Sequence, residues 1–123
     1  VYLSLGVTYF GNKKLDMKSV RVETDKNYYD FTCDDQFDGG YDNDFKAWFD
    51  YELFDMDDET SWLNEWLAAK SVTATFTGRD GSTKTYTLTK DNLQAIRDVL
   101  NVYDTLLGSD VSTARVVLRS LVK

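Results

Sequence analysis

The sequence predicts an α+β domain in which an antiparallel β-sheet of about six strands, as one sheet or two packed sheets, is covered by two or three helices. Several short segments alternate apolar and polar residues, which is the period of a strand with one buried face. Tight turns separate most of them, and strands joined by tight turns pair antiparallel because parallel neighbours need a long crossover. Two later segments adopt the 3.6-residue period of amphipathic helices.

Length and composition indicate one folded domain over residues 1–123. The chain contains no proline, no repeat and no linker-like segment. Its apolar fraction of 42% and aromatic fraction of 15% exclude a disordered chain, which buries too little apolar surface to offset its ordering entropy. No apolar run approaches the roughly 20 residues of a membrane-spanning helix. Since the chain begins at Val1, we expect that an upstream segment was removed.

The strand predictions follow the chain from its start. Residues 1–10, 19–24 and 28–33 alternate with one apolar face each, and Asp25-Lys26-Asn27 provides hairpin chemistry between the last two. Residues 46–54 form a fourth predicted strand. Its apolar side, which we expect to face the core, is formed by Ala47, Phe49, Tyr51 and Leu53.

A helix, a hairpin and a second helix are predicted next. Trp62, Leu63, Trp66 and Leu67 form the stripe of the first helix, with Asp57 or Asp58 as its N-cap. Residues 72–88 form a hairpin about Gly78-Arg79-Asp80-Gly81. Thr89 caps the second helix and Gly108 ends it; its stripe is Leu93, Ile96, Leu100, Tyr103 and Leu107.

The last segment has two interpretations. A helix from Ser109 or Asp110 would carry Ala114, Val117, Leu118, Leu121 and Val122 on one side, and this is the structure we expect. The consecutive apolar residues 116–118 favour a terminal strand as the alternative.

The acidity of the chain is concentrated in its middle. Residues 30–59 hold twelve Asp and Glu and one Lys, whereas the segments on either side are slightly basic, and the net charge of the chain is −7. Nucleic acid and anionic membranes are therefore not expected as partners, because both require clustered Lys and Arg.

The residue inventory removes most catalytic chemistry, so we do not expect an enzyme. There is no histidine and only one cysteine, Cys33, which excludes His-activated nucleophiles and the usual zinc sites. A phosphate-binding loop is also missing. Asp50 and Glu52, two residues apart on one strand, leave a carboxylate-based hydrolase as an unfavoured alternative.

The acidic segment partly follows the spacing of a calcium loop. Oxygen ligands for a hard cation are offered by Asp34, Asp38, Asp42 and Asp44, and Gly39 stands at the sharp-turn position. Phe45 replaces the bidentate Glu, and the flanks read as strands rather than helices. Calcium is therefore the one cofactor that the sequence offers a site for, and a solvated acidic loop is the competing interpretation.

Aromatic residues supply the other candidate site. Tyr2, Tyr28, Tyr41 and Trp48 lie off the main apolar faces, so they either pack under another layer or form a binding surface. On the second interpretation, Tyr28, Tyr41 and Trp48 are the ligand-binding candidates. Trp62 and Trp66, by contrast, are predicted to be core residues.

Residues 46–107 resemble a family of small bacterial domains without known activity. The resemblance covers about half of the chain and rests on structural residues: Asp50-Tyr51-Glu52-Leu53, Ala69-Lys70-Ser71-Val72, Phe76-Thr77-Gly78, Tyr86-Thr87-Leu88-Thr89 and Gln94-Ala95-Ile96-Arg97-Asp98-Val99-Leu100. It implies a non-catalytic fold in an exported or membrane-attached protein, and it supplies no catalytic residues.

Together these observations predict a non-catalytic binding or interaction domain of an exported bacterial protein, without direct insertion into a membrane. Its ligand would be a protein or a glycan. A calcium-stabilised structural domain and the hydrolase remain the alternatives.

Overall fold

A computed structural model describes residues 2–33, 38–106 and 113–121 of the chain. The elements in chain order are β1 (Tyr2–Gly11), β2 (Met17–Thr24), β3 (Tyr28–Thr32), β4 (Asp38–Asp42), β5 (Ala47–Asp55), α1 (Thr60–Ala68), β6 (Val72–Gly78), β7 (Thr83–Thr87), α2 (Lys90–Leu106) and β8 (Thr113–Leu121).

The described strands form two four-stranded sheets, which confirms the α+β class. Sheet A has the order β4-β5-β1-β8, and sheet B has the order β3-β2-β6-β7. All strand pairs are antiparallel except β1 with β8. In the described part of the chain two helices accompany the sheets, and neither is long and apolar enough to cross a membrane.

The core lies between the inner faces of the two sheets and the helices. Leu3, Leu5, Val7 and Tyr9 of β1 are buried, as the alternation of the first strand predicts. The Tyr9 ring contacts Phe76 of sheet B with centroids 6.1 Å apart. Trp66 of α1 is fully buried, and Trp62 packs against the same core cluster, so the core position predicted for both tryptophans is confirmed.

The last described segment, Thr113–Leu121, is a strand, so the prediction of a last helix is wrong and the alternative is correct. Strand β8 runs parallel to β1, with Leu5 opposite Val116 and Gly6 opposite Val117. Consecutive β-branched residues fit a pleated strand better than a helix, where their side chains lose rotamer freedom. The predicted antiparallel arrangement holds for the other described strand pairs, and β1 with β8 can pair in parallel because almost the whole chain serves as the long crossover between them. Leu107, Gly108, Ser109, Asp110 and Val122, which were assigned to the helix ends, lie outside the described residues.

Over most of its length, strand β5 presents to the core the face opposite to the one predicted; Ala47 is buried, as predicted. Its register places Asp50 opposite Tyr9 on the inner face and Phe49 opposite Phe10 on the outer face. Accordingly, Asp50 is 1% exposed, whereas Leu53 on the outer face is 40% exposed. Alternation identifies the two faces of a strand but not which of them is covered. In β5 the covered face is the one that carries the acidic residues Asp50 and Glu52.

Of the two predicted N-caps, the one for α2 is confirmed and the one for α1 is wrong. At α2, Thr89 Oγ1 accepts the backbone N–H of Asn92, and Asn92 Oδ1 accepts the backbone N–H of Thr89, which is a reciprocal capping box. At α1 the N-cap is Glu59 and no side chain bonds the helix start. Asp57 instead accepts the backbone N–H of Leu3 at 2.5 Å, tying the α1 entry to β1.

Candidate functional site

The β4–β5 hairpin brings two of the predicted ligand-binding residues together. Tyr41 and Trp48 are directly opposite each other across the two strands. Their ring centroids are 5.4 Å apart with an interplanar angle of 65°. Tyr41 is 48% exposed and Trp48 is half-buried, so one ring supports the other at the surface. The core-packing interpretation of Tyr41 is therefore wrong.

Three phenylalanines form a second group of rings, on the opposite face of sheet A from Tyr41 and Trp48. Phe45 in the turn is 50% exposed. Its ring centroid lies 5.3 Å from that of Phe10, and the centroids of Phe10 and Phe49 are 6.1 Å apart. We call the two groups together the hairpin aromatic cluster; it comprises Tyr41 and Trp48 on one face and Phe10, Phe45 and Phe49 in the second group. Aromatic side chains of this kind dominate binding energetics where they are exposed.

The turn that carries Phe45 is held by Asp42. Its Oδ1 atom accepts the backbone N–H groups of Asp44 and Phe45, at 2.9 and 3.0 Å. Lys46 then closes the turn at φ 51°, in the left-handed region. Asp42 therefore stabilises the loop that presents an exposed ring.

Tyr28 lies elsewhere, on the outer face of sheet B, whereas the hairpin aromatic cluster belongs to sheet A. It is 57% exposed, and the Arg21 guanidinium lies 4.3 Å from its ring centroid. Arg21 also donates two hydrogen bonds to Asp30, at 2.7 and 2.9 Å, and this hydrogen-bonded guanidinium lowers the pKa of the Asp30 carboxyl. The core-packing interpretation is wrong for Tyr28, as it is for Tyr2, which is also exposed.

A shallow depression of about 500 Å³ is lined in part by Arg21 and Asp30. It is lined mainly by polar side chains of sheet B: Ser19, Arg21, Glu23, Asp30, Thr32, Thr75 and Thr77, together with Phe31. Threonine and other β-formers on the solvent face of a sheet are explained by strand propensity alone. The depression is therefore a weaker candidate than the hairpin aromatic cluster.

The proposed calcium ligands are only partly described. Asp34 lies outside the described residues, while β4 makes the backbone a strand from Asp38 to Asp42 where the sequence predicted a loop. Four residues of extended chain separate these two Cα atoms by roughly 13 Å, so the backbone there does not curl around an ion as an EF-hand loop does. Among the described residues, no group of three or more His, Cys, Asp or Glu side chains converges on a possible ion position.

The carboxylates Asp50 and Glu52 occupy the inner face of sheet A. Asp50 Oδ2 accepts the backbone N–H of Met17 at 3.1 Å. Burial raises the pKa of the Asp50 carboxyl, the Met17 N–H opposes that rise, and the charge of Asp16 adds to it. This geometry joins β5 to the start of β2, and Asp50 is not open to a substrate.

Sequence reasoning missed three members of the cluster, Phe10, Phe45 and Phe49, as candidate binding residues. Phe49 was assigned to the core with the rest of its strand face, which the β1–β5 register shows to be the outer face. Phe45 closely follows Asp42 and Asn43, residues typical of turns, and that position in a hairpin turn was the available signal.

No protein-family model, curated protein or solved structure matches this chain. The function is therefore inferred from the fold and the surface of the molecule.

Proposed function

We propose that this chain is a non-catalytic binding or interaction domain of an exported bacterial protein, and that it contacts a protein or glycan through the hairpin aromatic cluster. The observation that carries the proposal is the exposure of Tyr41 and Phe45 next to the supporting rings of Trp48 and Phe10. Burying large apolar side chains is favourable by roughly 1.5–3 kcal/mol each, so exposed rings are retained most readily where a partner covers them.

The position of the described carboxylates also favours binding over hydrolysis. A glycosidase requires two acids that converge on a substrate cleft. Asp50 and Glu52 instead lie on the core face of β5, and the Asp50 carboxylate accepts the backbone N–H of Met17. Asp30, which lines the shallow depression on sheet B, is held by two hydrogen bonds from Arg21.

The test is a selection against two libraries, a displayed random-peptide library and an immobilised oligosaccharide array. We expect the native domain to enrich binders that Tyr41→Ala and Trp48→Ala lose. Tyr2→Ala removes an exposed ring outside the cluster and serves as the matched control. If the selected binders bind both cluster variants as well as they bind the Tyr2→Ala control, a role for this surface is refuted.

The calcium-stabilised domain remains an alternative because of the acidic segment at residues 30–59. A ligand that binds only the folded state raises the melting temperature. An unchanged melting midpoint between chelator and millimolar calcium rejects this alternative. Export is tested separately, by locating the parent gene product in cell fractions.

A further inference from the structure

We propose that the outer edge of β4 accepts an extended, cationic segment of a partner protein as an added strand of sheet A. The inference rests on the proposed binding function and names the class of its ligand. Strand addition at a sheet edge derives affinity from main-chain hydrogen bonds and specificity from alternate side chains.

The hydrogen-bond pattern shows which β4 groups face outward. The Met56 N–H donates to the Leu3 carbonyl at 2.8 Å, and this fixes the hydrogen-bonded positions of the β1–β5 pair. Since these positions alternate in an antiparallel pair, even-numbered residues 48–54 of β5 bond to β1 and odd-numbered residues 47–51 bond to β4. In β4, the N–H and C=O groups of Gly39 and Tyr41 therefore point away from β5.

The β4 edge lacks a common device against strand pairing. Edge strands are often protected by a charged side chain that points inward. Strand β7, one of the two edge strands of sheet B, has such a residue in Lys84, which is opposite Phe76 on the inner face. The corresponding positions of β4 are Gly39 and Tyr41, which carry no charge, and Gly39 is exposed.

The charge near this edge selects the partner. Strand β4 and the turn that follows it contain three acidic residues, Asp38, Asp42 and Asp44, and one basic residue, Lys46. Among the described residues, no Lys or Arg forms an ion pair with Asp42 or Asp44 at the end of the hairpin. An added strand with Lys or Arg at alternate positions would place cations beside these carboxylates, and Tyr41 offers its ring to the same strand.

The experiment is an NMR titration of the isotopically labelled domain with a synthetic nine-residue peptide of alternating Lys and Val. We expect the backbone amide signals of Gly39 and Tyr41 to shift and their hydrogen exchange to slow. A Glu-Val peptide of equal length is expected not to bind, and added salt should weaken the Lys-Val peptide. The same Lys-Val peptide N-methylated at alternate residues should bind roughly tenfold more weakly, because it loses its main-chain donors.

Two variants separate strand addition from contact with the rings. Gly39→Pro removes an edge N–H that takes no part in the β4–β5 ladder, and proline is tolerated at such a position. We expect it to weaken the Lys-Val peptide about tenfold, whereas the matched Gly39→Ala, which keeps the N–H, should bind like the native domain. Unchanged amide signals of Trp48 and Phe49 establish that the hairpin is intact in both.

Several outcomes overturn the proposal. Equal binding of the N-methylated peptide, or of Gly39→Pro, excludes strand addition; if Tyr41→Ala then abolishes binding, the proposed function stands without it. An absence of shifts at Gly39 and Tyr41 at millimolar Lys-Val peptide excludes a cationic strand. Shifts of the same two signals with protein concentration alone would identify the occupant as a second copy of the chain.

Discussion

Replacing Asp50 with Asn should make the stability of the domain less dependent on pH. Asp50 is 1% exposed, and burial raises the pKa of its carboxyl above the unfolded value. Between the unfolded and folded pKa values, the native state holds a proton that the unfolded state has released. The contribution of Asp50 to stability is therefore fully present below the unfolded pKa and is lost as pH rises through the folded pKa.

The magnitude follows from one group and one proton. Within that pH window the free energy of unfolding of the native protein falls, through Asp50, by up to about 1.4 kcal/mol per pH unit. The amide that replaces this carboxyl does not titrate, so the stability of the variant relative to the native protein should rise with pH over the window and then become constant. The amide keeps an acceptor oxygen for the Met17 N–H, so this hydrogen bond can be preserved in the variant.

The assay is urea unfolding at a series of pH values, followed by tryptophan fluorescence. Asp30→Asn is the control with the opposite sign, because the hydrogen-bonded Arg21 lowers the pKa of Asp30. The contribution of Asp30 is present above its unfolded pKa and is lost as pH falls through its folded pKa. A stability difference between Asp50→Asn and the native protein that is flat, or that falls with rising pH, refutes the reasoning.

Three further predictions concern stability and are each checked by urea unfolding. Thr89→Ala removes the capping oxygen that Asn92 N–H bonds, and it should cost about 1 kcal/mol, whereas Thr89→Ser should cost much less. Gly78→Ala would drive a Cβ into the Leu15 carbonyl oxygen and should cost about 1–3 kcal/mol; an unchanged midpoint would show that the backbone there yields freely. Lys46→Gly should stabilise by up to about 1 kcal/mol, because its φ of 51° strains a side chain but not glycine, and a loss of stability would contradict this.

The local parts of the fold could be predicted because their signals are local. The alternation in β1, the hairpin turns and the Thr89 cap each depend on neighbours a few residues away. Strand β4 was missed because its local sequence does not have the signal of a strand. Its sequence, Asp38-Gly39-Gly40-Tyr41-Asp42, has the composition of a loop, and it is a strand because it pairs with β5.

The remaining errors involve partners distant in the chain. Residues 113–121 are a strand because they pair with β1, more than 100 positions earlier. The covered face of β5 is set by register with β1 and by the bond from Met17 to Asp50, 33 positions apart. For the candidate site, the sequence identified Tyr41 and Trp48 singly, but their contact depends on the unpredicted strand β4.

The parallel pairing of the first and last strands also determines how the domain responds to a pulling force. The start of β1, at Tyr2, is beside Thr113, and the end of β8, at Leu121, is beside Phe10. Tension applied through Tyr2 and Leu121 therefore pulls the two strands along their length in opposite directions. Their hydrogen bonds, spread over roughly 27 Å of strand, are loaded together in shear instead of opening one after another. Extraction of β8 from the sheet is then the step that sets the rate of forced unfolding.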